Sequence, residues 1–350
     1  MNTFKLALRG LTRNRRRSLV TLLAIALGFA AIALFAGYTH NVFDGLARQS
    51  IHGELLGHLT LSKRGMRMEG KLDPERYMLT ASEVDQITKL VVAEPHVKMV
   101  APRLAFSGLI SNGRASTIFV AEAIEPAAME GLQQGAFSNA SAQSGVLDKR
   151  TKRLDPAHDD VVELSEGLVD ILHLQENGLA AVLVNTLSGQ ANALDVTVGH
   201  KFNTGNAGSN DKFAFVTLAL ARNLLDAEGR ADRLTILLDD GSQTEAVRLR
   251  LLPKLRDAGF DVEIQTWQEL SDFYNQVRGM FDMIFGFIFS IVLTVVLMSV
   301  ASLVRVAFLT RVSTGSARVP DRYLDQSIAS SSGLAGASSV VTSPASSLLR

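Results

Sequence analysis

The side chains in this 350-residue chain that could do chemistry are few and do not converge. His52 and His58 lie six positions apart, with Glu54 between them. That spacing fits neither two ligands on one helix face nor a His-Glu-x-x-His zinc site. Glu54 and His58 could form an acid–base pair, but nothing nearby supplies a nucleophile. Asp159-Asp160 and Asp239-Asp240 are adjacent carboxylates. Neighbours in sequence do not share a helix or strand face, so solvated turns are the expectation. Ser188-Gly189-Gln190 lacks the Gly-x-Ser-x-Gly elbow. There is no Gly-x-x-x-x-Gly-Lys-Ser/Thr loop, and no cysteine to act as nucleophile, thiolate ligand or disulfide. Neither a catalytic constellation nor a cofactor site is expected, and ATP hydrolysis by a P-loop is excluded.

What must position these residues is more informative. Ser18–Tyr38 and Met283–Val304 are two apolar runs without a charge. Each is long enough as a helix to cross a hydrocarbon core of about 30 Å, which takes about 20 residues. The second holds fourteen Leu, Ile, Val or Phe residues between Ile284 and Val304, which favours insertion by about 6 kcal/mol on an insertion scale. The first is Ala-rich and weaker, at about 4 kcal/mol. Gly28 and its small neighbours would let a second helix pack closely there. A signal peptide is the competing reading of the first run. The run exceeds the usual apolar length of 7–15 residues, and Leu34-Phe35-Ala36 stands where an Ala-x-Ala cleavage site would have to be.

Lys plus Arg and Asp plus Glu are both 35, so the formal charge is zero and nothing points to nucleic acid. The local distribution is uneven. Arg9, Arg13, Arg15, Arg16 and Arg17 precede the first run, and Arg305, Arg311 and Arg318 follow the second. Basic residues beside a span mark its cytoplasmic end, so both ends are expected in the cytoplasm and the middle outside. Trp267 falls where the outer domain should meet the bilayer, as an interfacial anchor, and Arg278 and Asp282 should sit at the outer boundary of the second span.

The expected organisation is a basic segment 1–17, a span 18–38, a stalk helix 39–55, an outer domain 56–266, a second stalk helix 267–282, a span 283–304 and a Ser-rich disordered tail 305–350. The basic segment is either an interfacial amphipathic helix or a plain topogenic flank. The fold class is a membrane protein with two transmembrane α-helices flanking an α+β domain that carries an inserted subdomain at about 126–218. Within the domain, strands are expected at 56–62, 97–111, 114–123, 181–187, 195–203, 212–217, 234–238 and 261–265. Thr80 to Glu83 and Ser242 to Glu245 are capping-box patterns, and Gly259 is a C′ candidate. Pro253 should kink or shorten its helix. Asn112-Gly113 signals a two-residue hairpin. Leu164–Leu174 reads as a short helix, and a helix from Trp267 leads into the second span.

Several segments carry a resemblance. Leu8-Arg9-Gly10-Leu11-Thr12-Arg13-Asn14-Arg15-Arg16-Arg17-Ser18 with the apolar run that follows resembles the amino-terminal signature of FtsX-like ABC permeases of the MacB and LolC/LolE type. Gly57-His58-Leu59-Thr60-Leu61, Pro102 to Gly108 and Asn192 to Val198 resemble segments of the MacB-like periplasmic core. The resemblance covers residues 4 to 300. It implies a permease in the bacterial inner membrane with its core domain periplasmic, working with a cytoplasmic ABC ATPase subunit and a second permease protomer as a homo- or heterodimer. A periplasmic lipoprotein or adaptor would be the further partner, and lipoprotein release is favoured over efflux because no ATPase is fused. The family continues after the second span with a coupling segment and two more spans. Residues 305–318 and the Ser-rich tail do not match that pattern, and a frameshift or truncation beginning near 301–311 is expected. A two-span extracytoplasmic sensor acting through a membrane partner is the alternative.

Overall fold

The computed structural model describes residues 15–70, 72–134, 154, 158–204 and 207–315. Helix α1, Arg15–Arg48, carries the first apolar run and continues without a break beyond Tyr38. It ends in a π-helical turn, Gln49–Gly53. The domain follows as β1 Leu59–Lys63, α2 Ala81–Val92, β2 Val97–Ser111, β3 Ser116–Ile124, α3 Pro126–Gln133, β4 Val161–Ser165, α4 Glu166–Ile171, β5 Leu179–Asn185, β6 Ala191–Phe202, β7 Phe213–Thr217, α5 Leu218–Leu225, β8 Arg233–Leu238, α6 Thr244–Asp257 and β9 Val262–Thr266. A single turn of helix, α7 Trp267–Leu270, precedes α8, Asp272–Gly315.

All named strands join one sheet, ordered β3-β7-β4-β6-β5-β2-β8-β1-β9. An additional β2–β3 pairing closes the first part on itself. The result is a barrel of β2, β3, β7, β4, β6 and β5 from which β8, β1 and β9 extend as an open sheet. β3–β7 and β4–β6 are parallel, and the other pairs antiparallel. The barrel is filled by Phe119, Ile110, Val162, Leu164, Val182, Val198 and Val216, with α5 packed on it through Leu220 and Leu224. A second core lies under the open sheet, where Leu59, Leu61, Leu234 and Ile236 meet Val84, Ile87 and Val91 of α2 and Val247, Leu251 and Leu255 of α6. Inward positions alternate with outward ones in β5, the pattern of a strand with one buried face.

Of the expected inserted segment 126–218, the described strands β4, β5, β6 and β7 belong to the barrel, but the barrel starts earlier. The second half of β2 and all of β3 belong to it, because Leu109 pairs with Leu183 of β5 and Val120 with Phe213 of β7. Among the described residues the barrel elements therefore fall between about Leu104 and Leu225, between the parts of the open sheet.

Local signals were followed where the chemistry is local. Thr80 and Glu83 exchange both hydrogen bonds of a capping box. Gly259 sits at φ 88°, with Gly259 N bonded to Arg256 O at 2.9 Å and Phe260 N to Leu255 O at 3.0 Å, the pattern of a Schellman cap. Other expectations are corrected. The Ser242 box is absent: Asp240 Oδ1 takes the Ser242 N–H at 2.9 Å and the helix begins at Thr244. Pro253 leaves α6 intact to Asp257, since its exposed position lets water serve the carbonyl it cannot reach. The hairpin loop is four residues, 112–115, because the Asn112 Oδ1 accepts from Arg114 N at 2.8 Å and Ala115 N at 2.7 Å. Leu164 and Ser165, expected to open a helix running to Leu174, instead end the strand Val161–Ser165, and the helix spans Glu166–Ile171. The helix from Trp267 is interrupted at Ser271, whose ψ of 97° is extended. Residues 305–315, expected in the disordered tail, are the end of α8. The expected basic segment as far as residue 14 and the tail from residue 316 lie outside the described residues.

The fold is thus an α/β domain flanked by two helices that are long and apolar enough to cross a membrane, Ala26–Gly53 and Asp272–Ser302.

Candidate functional site at the stalk–domain junction

The two flanking helices enter the domain at one point. Ser50 Oγ and Ser271 Oγ are 2.9 Å apart and both residues are buried. Beside them the helices pair through aromatic rings. Phe43 lies 5.7 Å from Tyr274 and 5.6 Å from Phe281, and Phe281 lies 6.0 Å from Phe35 and 6.4 Å from Tyr38. Such pairs contribute roughly 0.5–1.5 kcal/mol each beyond their burial. Arg278 and Asp282 pair at 3.9 Å on the exposed side of α8.

The chain leaves the first stalk through a wide turn. Glu54 N bonds to Gln49 O at 2.8 Å, Leu56 N to Ser50 O at 3.2 Å and Gly57 N to Ile51 O at 3.0 Å. Leu55 is fully buried at φ 61°, a left-handed conformation that costs a residue with a Cβ roughly 1–2 kcal/mol. Gly57 follows at φ 65°, where an added Cβ would meet Thr235 Cγ2 at 2.6 Å and Ile236 O at 2.8 Å. Gly57→Ala should therefore destabilise the domain by about 1–3 kcal/mol, read as a lower denaturant midpoint at unchanged slope. An unchanged midpoint would show that β8 gives way freely.

What holds Leu55 in place is a buried guanidinium. Arg103 Nη1 donates to Leu55 O at 2.7 Å, and Nη2 donates to Glu122 Oε2 at 2.7 Å. The same carboxylate oxygen accepts from Arg233, whose other nitrogen reaches Asp232 Oδ2 at 2.7 Å. Asp232 Oδ2 also takes the N–H of Ala105 at 2.9 Å. Burial alone would push the Glu122 carboxyl up, but Arg233 and Arg103 outweigh it and bring it to about 2. Burial dominates at Asp232, which is raised to about 6 in spite of Arg233. Arg103 Nε and Asp232 Oδ1 are buried without a hydrogen-bond partner among the described residues.

His58 ties the two stalk roots together. Its backbone N–H donates to Ile236 O at 2.9 Å and its carbonyl accepts from Trp267 N at 3.2 Å. Leu238 N donates to His58 Nδ1 at 3.1 Å, so the ring must be neutral at that nitrogen. Burial depresses it to about 4 from 6.5. The unfolded chain then binds the extra proton first, so His58 contributes about 3 kcal/mol that is fully present above pH 6.5 and lost as pH falls toward 4. His58→Asn keeps an acceptor and removes the titration. Its denaturation free energy should fall less between pH 6.5 and 4 than that of the parent chain. Asp232 acts in the opposite sense in both proteins and cancels from the comparison. Equal pH profiles would contradict the burial argument.

Around these groups lies a third core, built from Ile51 and Leu55 of the stalk exit, Ala101 and Leu237 of the open sheet, Ile124, Phe202 and Phe215 of the barrel, and Trp267. The junction thus touches both halves of the domain. Such an arrangement can transmit displacement of a helix to the domain.

The residues singled out in the sequence fall elsewhere. Arg13 lies outside the described residues, Arg15 and Arg16 are exposed at the start of α1, and Arg17 is in its first turn. Arg305 is exposed on α8 and Arg311 lies near its end. Nothing stands within 4 Å of a Cβ built on Gly28. Trp267, expected as an interfacial anchor, is only 7 % exposed and packs 4.8 Å from Tyr274 in the third core. The capping box of Thr266 and Glu269 turns the indole inward. Arg103, Glu122, Asp232 and Arg233 were not singled out. The available signal was the charge of Arg103 and of Glu122 amid apolar neighbours in the strands Val97–Ser111 and Ser116–Ile124.

The sequence profile described as the MacB-like periplasmic core domain matches residues 18–253. The chain belongs to that family, and its two apolar helices around an α/β domain give it the layout of a MacB-like ABC permease. No curated protein sequence matches it. Among solved structures, the periplasmic region of MacB from Actinobacillus actinomycetemcomitans is similar, at 12% identity and TM-score 0.42, over 63% of this chain and 92% of that one. The extracellular domain of the noncanonic ABC-type transporter YknZ from Gram-positive bacteria is similar at 11% identity and TM-score 0.38, over 60% and 100%. A domain of a putative permease protein from Porphyromonas gingivalis gives 13% identity and TM-score 0.30, over 59% and 85%.

Proposed function

We propose that the chain is a permease subunit of an ABC transporter. It couples ATP hydrolysis by a separate cytoplasmic ATPase to motion of its outer domain, and itself catalyses no reaction. The observation that carries this reading is the convergence of both stalk roots, at Ser50 and Ser271, on one buried junction that both halves of the domain share. A lever so placed converts a change in stalk spacing into movement of the domain. The basic residues beside each apolar run favour cytoplasmic ends and a periplasmic domain in the bacterial inner membrane. A second protomer completes the transporter. The cargo we favour is a lipoprotein released from the membrane, with efflux second.

Purification of the tagged full chain from its native membrane tests this. An ABC ATPase should co-purify in stoichiometric amount, and crosslinks from the outer domain should recover lipoproteins. Recovery without an ATPase would overturn the permease reading and favour a two-span sensor. An ATPase with only small molecules or a cell-wall enzyme at the outer domain would overturn the cargo alone.

A further inference from the structure

The barrel and the open sheet share one strand. Arg103 is the last residue of β2 to pair with β8, opposite Arg233, and the first to pair with β3, opposite Ile124. β8 and β5 therefore lie on the same side of β2, since β5 faces away from β3 at Leu109. Between Arg103 and Leu109 that side of β2 has no strand partner. The gap is closed by one side chain: Asp232 Oδ2 accepts from Ala105 N at 2.9 Å, while Asp232 N donates to Arg103 O at 2.9 Å. The chain enters the barrel through Arg103–Ala105 and leaves it just before Asp232. Both crossings are thus held by one charge cluster. Two buried polar atoms of that cluster, Arg103 Nε and Asp232 Oδ1, are without a partner among the described residues, so the cluster is not bonded to saturation.

The stalk acts on the same point. The Leu55 carbonyl, fixed in its left-handed turn, is held by Arg103. Ile51, Leu55 and Trp267 sit in the third core, between Ala101 and Leu237 on one side and Ile124, Phe202 and Phe215 on the other. The roots of the two stalks are wedged at the seam.

We infer that β2 at Arg103–Ala105 is a hinge between the barrel and the open sheet, with Arg103 as the latch that ties the hinge to the first stalk. Moving the stalk roots changes the angle between the two halves, so the outer domain opens within each protomer rather than moving as one block. This deepens the permease reading and rests on it for the source of the motion.

The absence of cysteine from the sequence gives a clean background for paired spin labels. One label goes on Ile118 of β3 and the other on Leu249 of α6, both exposed on the outside of their halves. Distances are read by double electron–electron resonance on the full chain in lipid nanodiscs. The parent chain should give one narrow distribution. Arg103→Gln cuts the stalk and Glu122 bonds, and Asp232→Ala removes the acceptor from Ala105. Both should broaden the distribution at least twofold, Arg103→Gln more. The same narrow distribution in folded variants would overturn the hinge. If Arg103→Gln does not fold, Asp232→Ala decides alone by the same criterion. A rigid domain in a chain that still co-purifies with an ATPase would remove the hinge and leave the permease reading standing.

Discussion

Glu122→Leu should destabilise the outer domain by about 3–5 kcal/mol, the range for removing one member of a buried ion cluster. The carboxylate lies between Arg103 and Arg233 and its pKa is brought down to about 2 by those two cations. Without it, two guanidiniums remain in the interior, with Asp232 still paired to Arg233. Asp232 should then ionise more readily, because the neighbouring negative charge that helps raise it is gone. The loss is measured as the shift in denaturant midpoint. Arg103→Met in the Glu122→Leu background should cost much less than Arg103→Met alone, since the partner is already absent. Additive losses would show that the two side chains do not act as one unit.

Trp267→Ala should cost about 3–5 kcal/mol as well. The indole is 7 % exposed, lies edge-on to Tyr274 and shares the third core with Leu237 and Ile51. It is the only tryptophan in the chain, so its fluorescence reports this site alone. Emission should be blue-shifted and unaffected by exchanging detergent for lipid, and iodide should quench it weakly. An emission that shifts with lipid composition, or a substitution without effect on stability, would return Trp267 to the role of an interfacial anchor.

The contrast between these two residues shows what the sequence could reveal. The first stalk, the Thr80 cap and the Gly259 stop are encoded locally, and apolar spacing or a single glycine is enough to read them. Trp267 is not legible as a core residue because its neighbourhood in sequence is the start of a span, whereas the core that it joins is assembled from distant segments that include Ile51, Ala101 and Leu237. β4 was missed because Leu164, Leu168 and Leu172 recur at helical spacing, although Val162, Leu164 and Val216 share the barrel interior. Barrel closure depends on β2 meeting both β3 and β5, and the open sheet on the same strand meeting β8, which no local pattern records. The charge cluster brings Arg103 to Asp232 across more than a hundred residues of chain. As isolated charges in a one-dimensional reading, Arg103, Glu122 and Asp232 carry no mark of their burial.

Function was legible by a different route. The order of apolar run, mixed domain and apolar run, with arginines at the outer flanks, marks a membrane protein, whereas the permease family is carried by the resembling segments and by the profile that matches residues 18–253. Two of the resembling segments, Gly57 to Leu61 and Pro102 to Gly108, fall on the junction, where Gly57 permits the close turn against β8 and Arg103 grips it. Their residue types follow from that geometry.

The meeting of the two stalk roots can be tested in the native membrane with the Ser50→Cys/Ser271→Cys pair. The hydroxyl oxygens are 2.9 Å apart and the chain has no other thiol to compete. Mild oxidation should crosslink nearly every molecule within one chain, seen as a faster-migrating band that reductant abolishes. A pair that stays reduced, or that links only separate chains, would contradict the junction on which the whole account of force transmission rests.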